Sequence, residues 1–221
     1  MLYIVPTPLG NLEDMTARAK NQLSACDFII AENPPQTHKL LQLLGLPKKE
    51  VKQFADHNEQ KVLGQLLERI KTESACLVSD AGTPGISDPG FRLVRAARKE
   101  NIEVVSLPGA SASITALAGS GLPTDKFLFV GFFPKTEPKL IRTIEEAKQI
   151  SATLIAYESP QRLLKTLRYI ATTFPEANIA VARELTKMHE EYQIGSANEL
   201  IEIFTAKPTI KGEVTILLSF K

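Results

Sequence analysis

The run Ala75–Val78, ACLV, followed by Ser79–Gly90, SDAGTPGISDPG, decides the fold class. The first four residues are apolar and read as a buried strand. The next twelve hold three Gly, two Pro and two Asp. A buried strand that feeds such a loop and then a helix is the repeating unit of a parallel sheet. Asp88-Pro89 predicts the helix start, a capping carboxylate before a proline at the first helical position. Connections of this kind usually need only about 2–6 residues, so the loop is longer than a turn requires. Ligands of open α/β sheets sit at the carboxyl ends of strands. Asp80 stands at that end, where its carboxylate can hydrogen-bond a polar ligand. The glycines let backbone come close to it. The structural alternative is a plain turn.

The same alternation extends in both directions. Strand-like runs are 2–5, 28–31, 51–54, 75–78, 102–107, 126–131, 153–157, 178–183 and 213–220. Between them lie helical periods. Residues 59–72 align Val62, Leu66, Leu67 and Ile70. Residues 160–174 align Leu163, Leu164, Leu167, Ile170 and Phe174, with Ser159 as the expected cap and Pro160 in the first turn. Asp14 or Thr16 is the expected cap of the first helix. Tyr192–Gly195 is expected to form an antiparallel edge beside the last strand. The fold class is α/β, built as two α/β domains with a cofactor cleft between them. Pro and Gly cluster at Ser120–Pro123, which sets the expected domains at 1–122 and 123–221.

Composition narrows the function. The 221 residues suffice for one large or two small domains, at roughly 100–200 residues each. No apolar run approaches the ~20 residues of a membrane span. The start MLYIVPTPLG has neither the basic residues nor the apolar stretch of a signal peptide, so the expected compartment is the cytoplasm. Cys26 and Cys76 are expected to be buried free thiols. His38, His57 and His189 do not cluster, and no metal site is expected. A net charge of +1 leaves any nucleic-acid contact to local patches. Candidate patches are Lys135, Lys139, Arg142 and Lys148, and Arg162, Lys165 and Arg168; a solvated helix face is their alternative reading.

Two further loops follow strands. After LYIV comes PTPLGN, which lacks the G-x-G-x-x-G turn of dinucleotide-binding proteins. After IEVVSL comes Pro108-Gly109 and then small residues, Ala110 to Ala112, opening a helix. Amides and hydroxyls at that start suit a carboxylate or a ribose hydroxyl. Close helix packing is the alternative.

Taken together, PTPLGN, SDAGTPGISDPG, LPGASASITAL, GLPTDKFLFVGFFP, YESPQR and ARELTKMHEE occur in the order seen in the tetrapyrrole methylase superfamily, which the chain resembles over nearly all its length. It is most similar to the branch that methylates small-subunit ribosomal RNA. The resemblance implies S-adenosylmethionine as methyl donor and a cytidine 2′-hydroxyl in the decoding region of 16S rRNA, within the small ribosomal subunit, as acceptor. It also implies a homodimer. By motif, it implies cofactor contacts at Leu9, Val78, Ser79, Asp80, Ile86, Ser111, Ala112, Tyr157 and Glu158.

The chain departs from the branch at two places. A-E-D-T-R is here Ala31-Glu32-Asn33-Pro34-Pro35, and E-S-P-H-R is Glu158-Ser159-Pro160-Gln161-Arg162. An Arg could grip phosphate at position 35, which Pro cannot do. Deprotonating a ribose hydroxyl calls for a base or a cation nearby. Glu32, His57 and Lys187 are the catalytic candidates, with Glu184 beside them. Asn58, Glu59, Arg162 and Arg183 are candidate substrate contacts. Two other readings stay open: a small-molecule methyltransferase of the tetrapyrrole type, and a ribosome-associated cofactor-binding protein without activity.

Overall fold

The computed structural model describes residues 1–55 and 57–221. Asp56 lies outside them. Two compact units divide the chain, Met1–Ser111 and Ala112–Lys221.

The first unit alternates strand and helix: β1 (Leu2–Ile4), α1 (Ala17–Ala25), β2 (Phe28–Ala31), α2 (Pro34–Leu43), β3 (Glu50–Gln53), α3 (Glu59–Thr72), β4 (Ala75–Val78), α4 (Phe91–Lys99) and β5 (Val104–Ser106). All neighbouring strands are parallel, in the order β3-β2-β4-β1-β5. Successive side chains on a strand point to opposite faces, and this builds two cores. Phe28, Ile30 and Leu77 meet Leu66, Leu67 and Ile70 of α3 and Leu93 and Ala97 of α4. Ile29, Ala31, Cys76 and Val78 meet Ala19 and Leu23 of α1 and Leu41 of α2. The central strands are therefore apolar throughout because both faces are covered.

Helix ends refine the expectations. Thr16 caps α1, its side chain accepting from the Ala19 amide. Helix α4 starts at Phe91 behind Gly90, so Asp88-Pro89 belongs to the loop and does not cap. Pro34 and Pro35 lie in the first turn of α2, where amides have no intrahelical partner in any case. The prolines thus start a helix.

The second unit holds α5 (Ala112–Gly119), β6 (Phe127–Phe132), α6 (Glu137–Gln149), β7 (Thr153–Glu158), α7 (Leu163–Thr173), β8 (Asn178–Arg183), β9 (Glu191–Gly195), α8 (Ala197–Thr205) and β10 (Val214–Ser219). Its sheet order is β6-β7-β10-β8-β9; only β6 and β7 are parallel. The last strand sits centrally, and β9 pairs with β8 instead of with it. Helices α6, α7 and α8 pack on one face through Ile144, Leu167, Ile170, Leu200 and Phe204. Helix α5 packs against β7 and β10. That packing draws α5 into the second unit, so the division falls eleven residues before the expected 122/123 boundary. Helix α7 begins at Leu163 without a side-chain cap, so Ser159-Pro160 is its lead-in and not its first turn.

Candidate functional site

Three loops of the first unit are fastened into one body. Thr7 and Gly82 exchange backbone hydrogen bonds at 2.9 and 3.0 Å, and Thr7 Oγ1 donates to the Ser79 carbonyl at 3.0 Å. The Ser79 hydroxyl donates to the carbonyls of Ala81 and Gly82. Thr83 Oγ1 reaches the Ala110 carbonyl at 2.9 Å, tying in the third loop. Gly109 lets that loop lie on the first one: a Cβ there would stand 2.6 Å from Pro6 Cβ. Gly82, at φ +80°, takes the left-handed turn that brings the β4 loop against Leu9. Much of the Gly and Ser content of these loops therefore serves loop-to-loop packing.

The ligand-facing position follows from topology. From β2 the chain moves outward to β3, and from β4 it moves the other way to β5. The adjacent carboxyl ends of β2 and β4 therefore flank a switch point, the usual ligand crevice of such sheets. Glu32 and Asn33 follow β2; Ser79 and Asp80 follow β4. Asn33 Nδ2 donates to Asp80 Oδ2 at 3.4 Å, while Asn33 Oδ1 faces the Gln36 amide at 3.5 Å. The two neighbours, an N–H and a carboxylate, dictate which way the amide points. Beside them a pocket opens between the first loop and α2, reaching Leu9, Ser79 and Asp80.

The other expected cofactor residues of this unit divide by exposure. Val78 is buried as the last residue of β4, Ile86 is 48% exposed in its loop, and Ser111 is half-buried at the end of the unit. Near α3, His57 is exposed in the turn before the helix. Asn58 is spent locally: its Oδ1 accepts from the Ala55 amide at 2.9 Å, and its Nδ2 donates to the Gln53 carbonyl. Glu59 is buried and pairs with Arg92 at 3.4 Å.

In the second unit, Ala112 opens α5, and the Tyr157 ring meets Phe129 and Phe132 edge-on at 5.0 and 5.7 Å. The Glu158 side chain is fully buried; it accepts from Thr166 Oγ1 at 2.6 Å and the Ser159 amide at 2.7 Å and forms an ion pair with Arg162 Nε at 3.2 Å. Arg162 also donates to the carbonyls of Phe133 and Pro134 at 3.0 Å. Neither side chain has much left for a ligand. Arg183 is similarly committed to Glu191 and to the Lys211 carbonyl.

Lys187 lies between Glu184 and Glu213, 2.9 Å from each carboxylate. Burial pulls its ammonium down, but the two carboxylates outweigh that and hold it above the ordinary lysine value. Burial likewise pushes Glu184 up, and Lys187 with the Glu213 amide brings it below the usual carboxylate range. Lys187 is a fixed cation and not a proton acceptor. Glu184 and Thr186, at φ +53° and +64°, adopt backbone that non-glycine residues rarely take. Of the basic patches, Arg142 and Lys148 pair with Glu146 and Glu176. Among the described residues, no helix is long and apolar enough to cross a membrane, and no group of three potential metal ligands occurs.

A doubly wound parallel unit joined to a mixed α/β unit is the architecture of a known class of methylating enzymes. The chain belongs to the Tetrapyrrole (Corrin/Porphyrin) Methylases, whose family model matches residues 1–201. Among individual proteins it is similar to Ribosomal RNA small subunit methyltransferase I of Hydrogenobaculum sp., 45% identical over 99% of this chain and 95% of that one. It is 41% identical to the protein of that name from Thermotoga maritima, over 100% and 98% of the two chains. Among solved structures, diphthine synthase has a TM-score of 0.77 at 16% identity, over 99% of this chain and 89% of that one. The methyltransferase CobJ has 0.72 at 16%, over 99% and 93%. These two likenesses concern the fold.

Proposed function

We propose that this protein transfers a methyl group from S-adenosylmethionine to the ribose 2′-oxygen of a cytidine in the decoding region of 16S rRNA, within the small ribosomal subunit. The observation that carries the reading is 45% identity along nearly the full chain to a protein named for small-subunit rRNA methylation. The residues of the first unit fit a nucleoside with a charged tail. Asp80 offers a carboxylate for hydroxyl or ammonium donors, Leu9 an apolar wall, and Gly82 a close-set backbone. Val78, Ser79, Ile86 and Ser111 border that position, Val78 and Ser79 through their main chain. Ala112 and Tyr157 are proposed contacts from the second unit, and Glu158 one through its main chain only.

When bound by the residues named above, S-adenosylmethionine would supply an electrophilic methyl on its sulfonium, which the ribose oxygen would take while sulfur keeps the electron pair of the broken C–S bond. The displacement is in line, so the protein's main work is positioning. The hydroxyl proton needs an acceptor, and Glu32, at the switch point next to Asn33, is the proposed one. His57 stands exposed beside α3, and Lys187 is held protonated between two carboxylates. A cytoplasmic homodimer completes the proposal; it would double the candidate phosphate contacts Lys139 on α6 and Lys165 and Arg168 on α7.

Calorimetry and turnover test this assignment together. Asp80→Ala is expected to weaken S-adenosylmethionine binding about tenfold, in line with losing hydrogen bonds to a charged group. Glu32→Gln is expected to keep the affinity and lose turnover. A wild-type protein that does not bind the cofactor would overturn the reading.

A further inference from the structure

We propose that the α2 end of the pocket between the first loop and α2 is the acceptor subsite, holding one ribonucleotide of single-stranded RNA beside the cofactor contacts at the end of β4. This rests on the methyltransferase reading above and assigns its substrate side.

The pocket has two ends. One is Leu9, Ser79 and Asp80; the other is a stripe of α2, Gln36, Lys39, Leu40 and Leu43. These four are spaced i, i+3, i+4 and i+7, so they share one helix face. The buried face of the same helix is Leu41 with Thr37, which also borders the pocket. The stripe is therefore not used to hold the helix down. Leu43 is 57% exposed, a large apolar side chain with no core to fill.

Position separates this stripe from the cofactor contacts. Those follow β4, β1 and β5, on one side of the switch point. Helix α2 leaves from β2, on the other side. A group bound on α2 thus approaches Asp80 from the β2 side of the switch point.

The chemistry fits a nucleotide. Leu40, Leu43 and Leu12 give a flat apolar flank for a base. Gln36 carries both a donor and an acceptor for a base edge, and no hydrogen bond of its side chain is made among the described residues. Lys39 has no ion pair among the described residues; Lys20, Lys61 and Lys99 of the same unit have none either, and what distinguishes Lys39 is its place in the pocket lining. A free cation one helical turn from an amide and two leucines matches phosphate, base edge and base face.

The test uses Lys39→Glu and Gln36→Ala in the full-length protein. Calorimetry measures S-adenosylmethionine affinity, and methyl transfer is followed on small ribosomal subunits lacking decoding-region methylation. Cofactor affinity should stay within about twofold, which also shows that the variants are folded. KM for subunits should rise about tenfold for Lys39→Glu, and for the same variant the slope of log KM against log salt should fall by about one, the signature of one lost phosphate contact. Equal weakening of cofactor binding would make the pocket a cofactor subsite and overturn the proposal. Unchanged KM and salt slope would overturn it as well. Absence of transfer by the wild type would overturn the methyltransferase reading, and this proposal with it.

Discussion

Asn33 and Asp80 meet across the switch point of the parallel sheet, the amide Nδ2 donating to the carboxylate at 3.4 Å while Oδ1 caps α2. One side chain thus starts a helix and orients the carboxylate at the end of the neighbouring strand. Asn33→Ala removes both contacts. The expected result is cofactor affinity weakened severalfold by calorimetry, with about 1 kcal/mol of stability lost with the helix cap. Equal affinity would show that the amide does not position Asp80.

Close packing of the loops makes its own demand. Gly109→Ala drives a Cβ into Pro6 and should cost about 1–3 kcal/mol, as overpacking does. Gly64 lies within α3 with nothing within 4 Å of its would-be Cβ. Gly64→Ala should stabilise by about 0.5–1 kcal/mol through helix propensity. Chemical denaturation of the two variants checks both signs.

Arg162 is expected to act on stability. Its guanidinium joins Glu158 to the Phe133–Pro134 backbone. Arg162→Ala should lower stability by about 1–3 kcal/mol, the cost of leaving a buried charged acceptor short of a donor. KM for ribosomal subunits should not change. A raised KM with unchanged stability would restore Arg162 as a substrate contact.

The Glu184–Lys187–Glu213 cluster sets a pH dependence. Glu184 titrates below its unfolded value of about 4.3. Its stabilisation is therefore complete above that value and is lost as pH falls through the folded one. Lys187 is raised, so its contribution is complete below about 10.4 and is lost as pH rises through the folded value. Glu184→Gln should be less stable than wild type at pH 7, and the difference should shrink towards zero in acid. Denaturation curves at several pH values test this.

Cys26 and Cys76 are both buried. The neighbouring Cys26 sulfur and burial push the Cys76 thiol well above its ordinary value. Neither thiol should react with a chromogenic thiol reagent at pH 8 in the native protein, and both should react once it is unfolded.

Much of the fold was legible from period and punctuation. Phe28–Ala31, Ala75–Val78, Asn178–Arg183 and helix 59–72 fall where their apolar runs end. What sequence missed is set by tertiary pairing. The place of β10 between β7 and β8 depends on long-range register, which no local pattern carries. Helix α5 joined the second unit because its small residues pack on β7 and β10, although Pro and Gly cluster after it. In the site, the strand-end position of Asp80 was readable from the apolar run before it. The commitments of Asn58, Glu158, Arg162 and Arg183 were not, because their partners lie on backbone or distant side chains. The proposed α2 stripe left a local signal in the sequence, the helical spacing of Gln36, Lys39, Leu40 and Leu43 just after Pro34-Pro35.

The central claim is methyl transfer to an rRNA ribose. The most direct measurement incubates the purified protein with methyl-labelled S-adenosylmethionine and small ribosomal subunits lacking 2′-O-methylation in the decoding region, then digests the RNA to nucleosides. The account expects label on the 2′-oxygen of cytidine. Label on a base, or no label from a preparation that binds the cofactor, would contradict it.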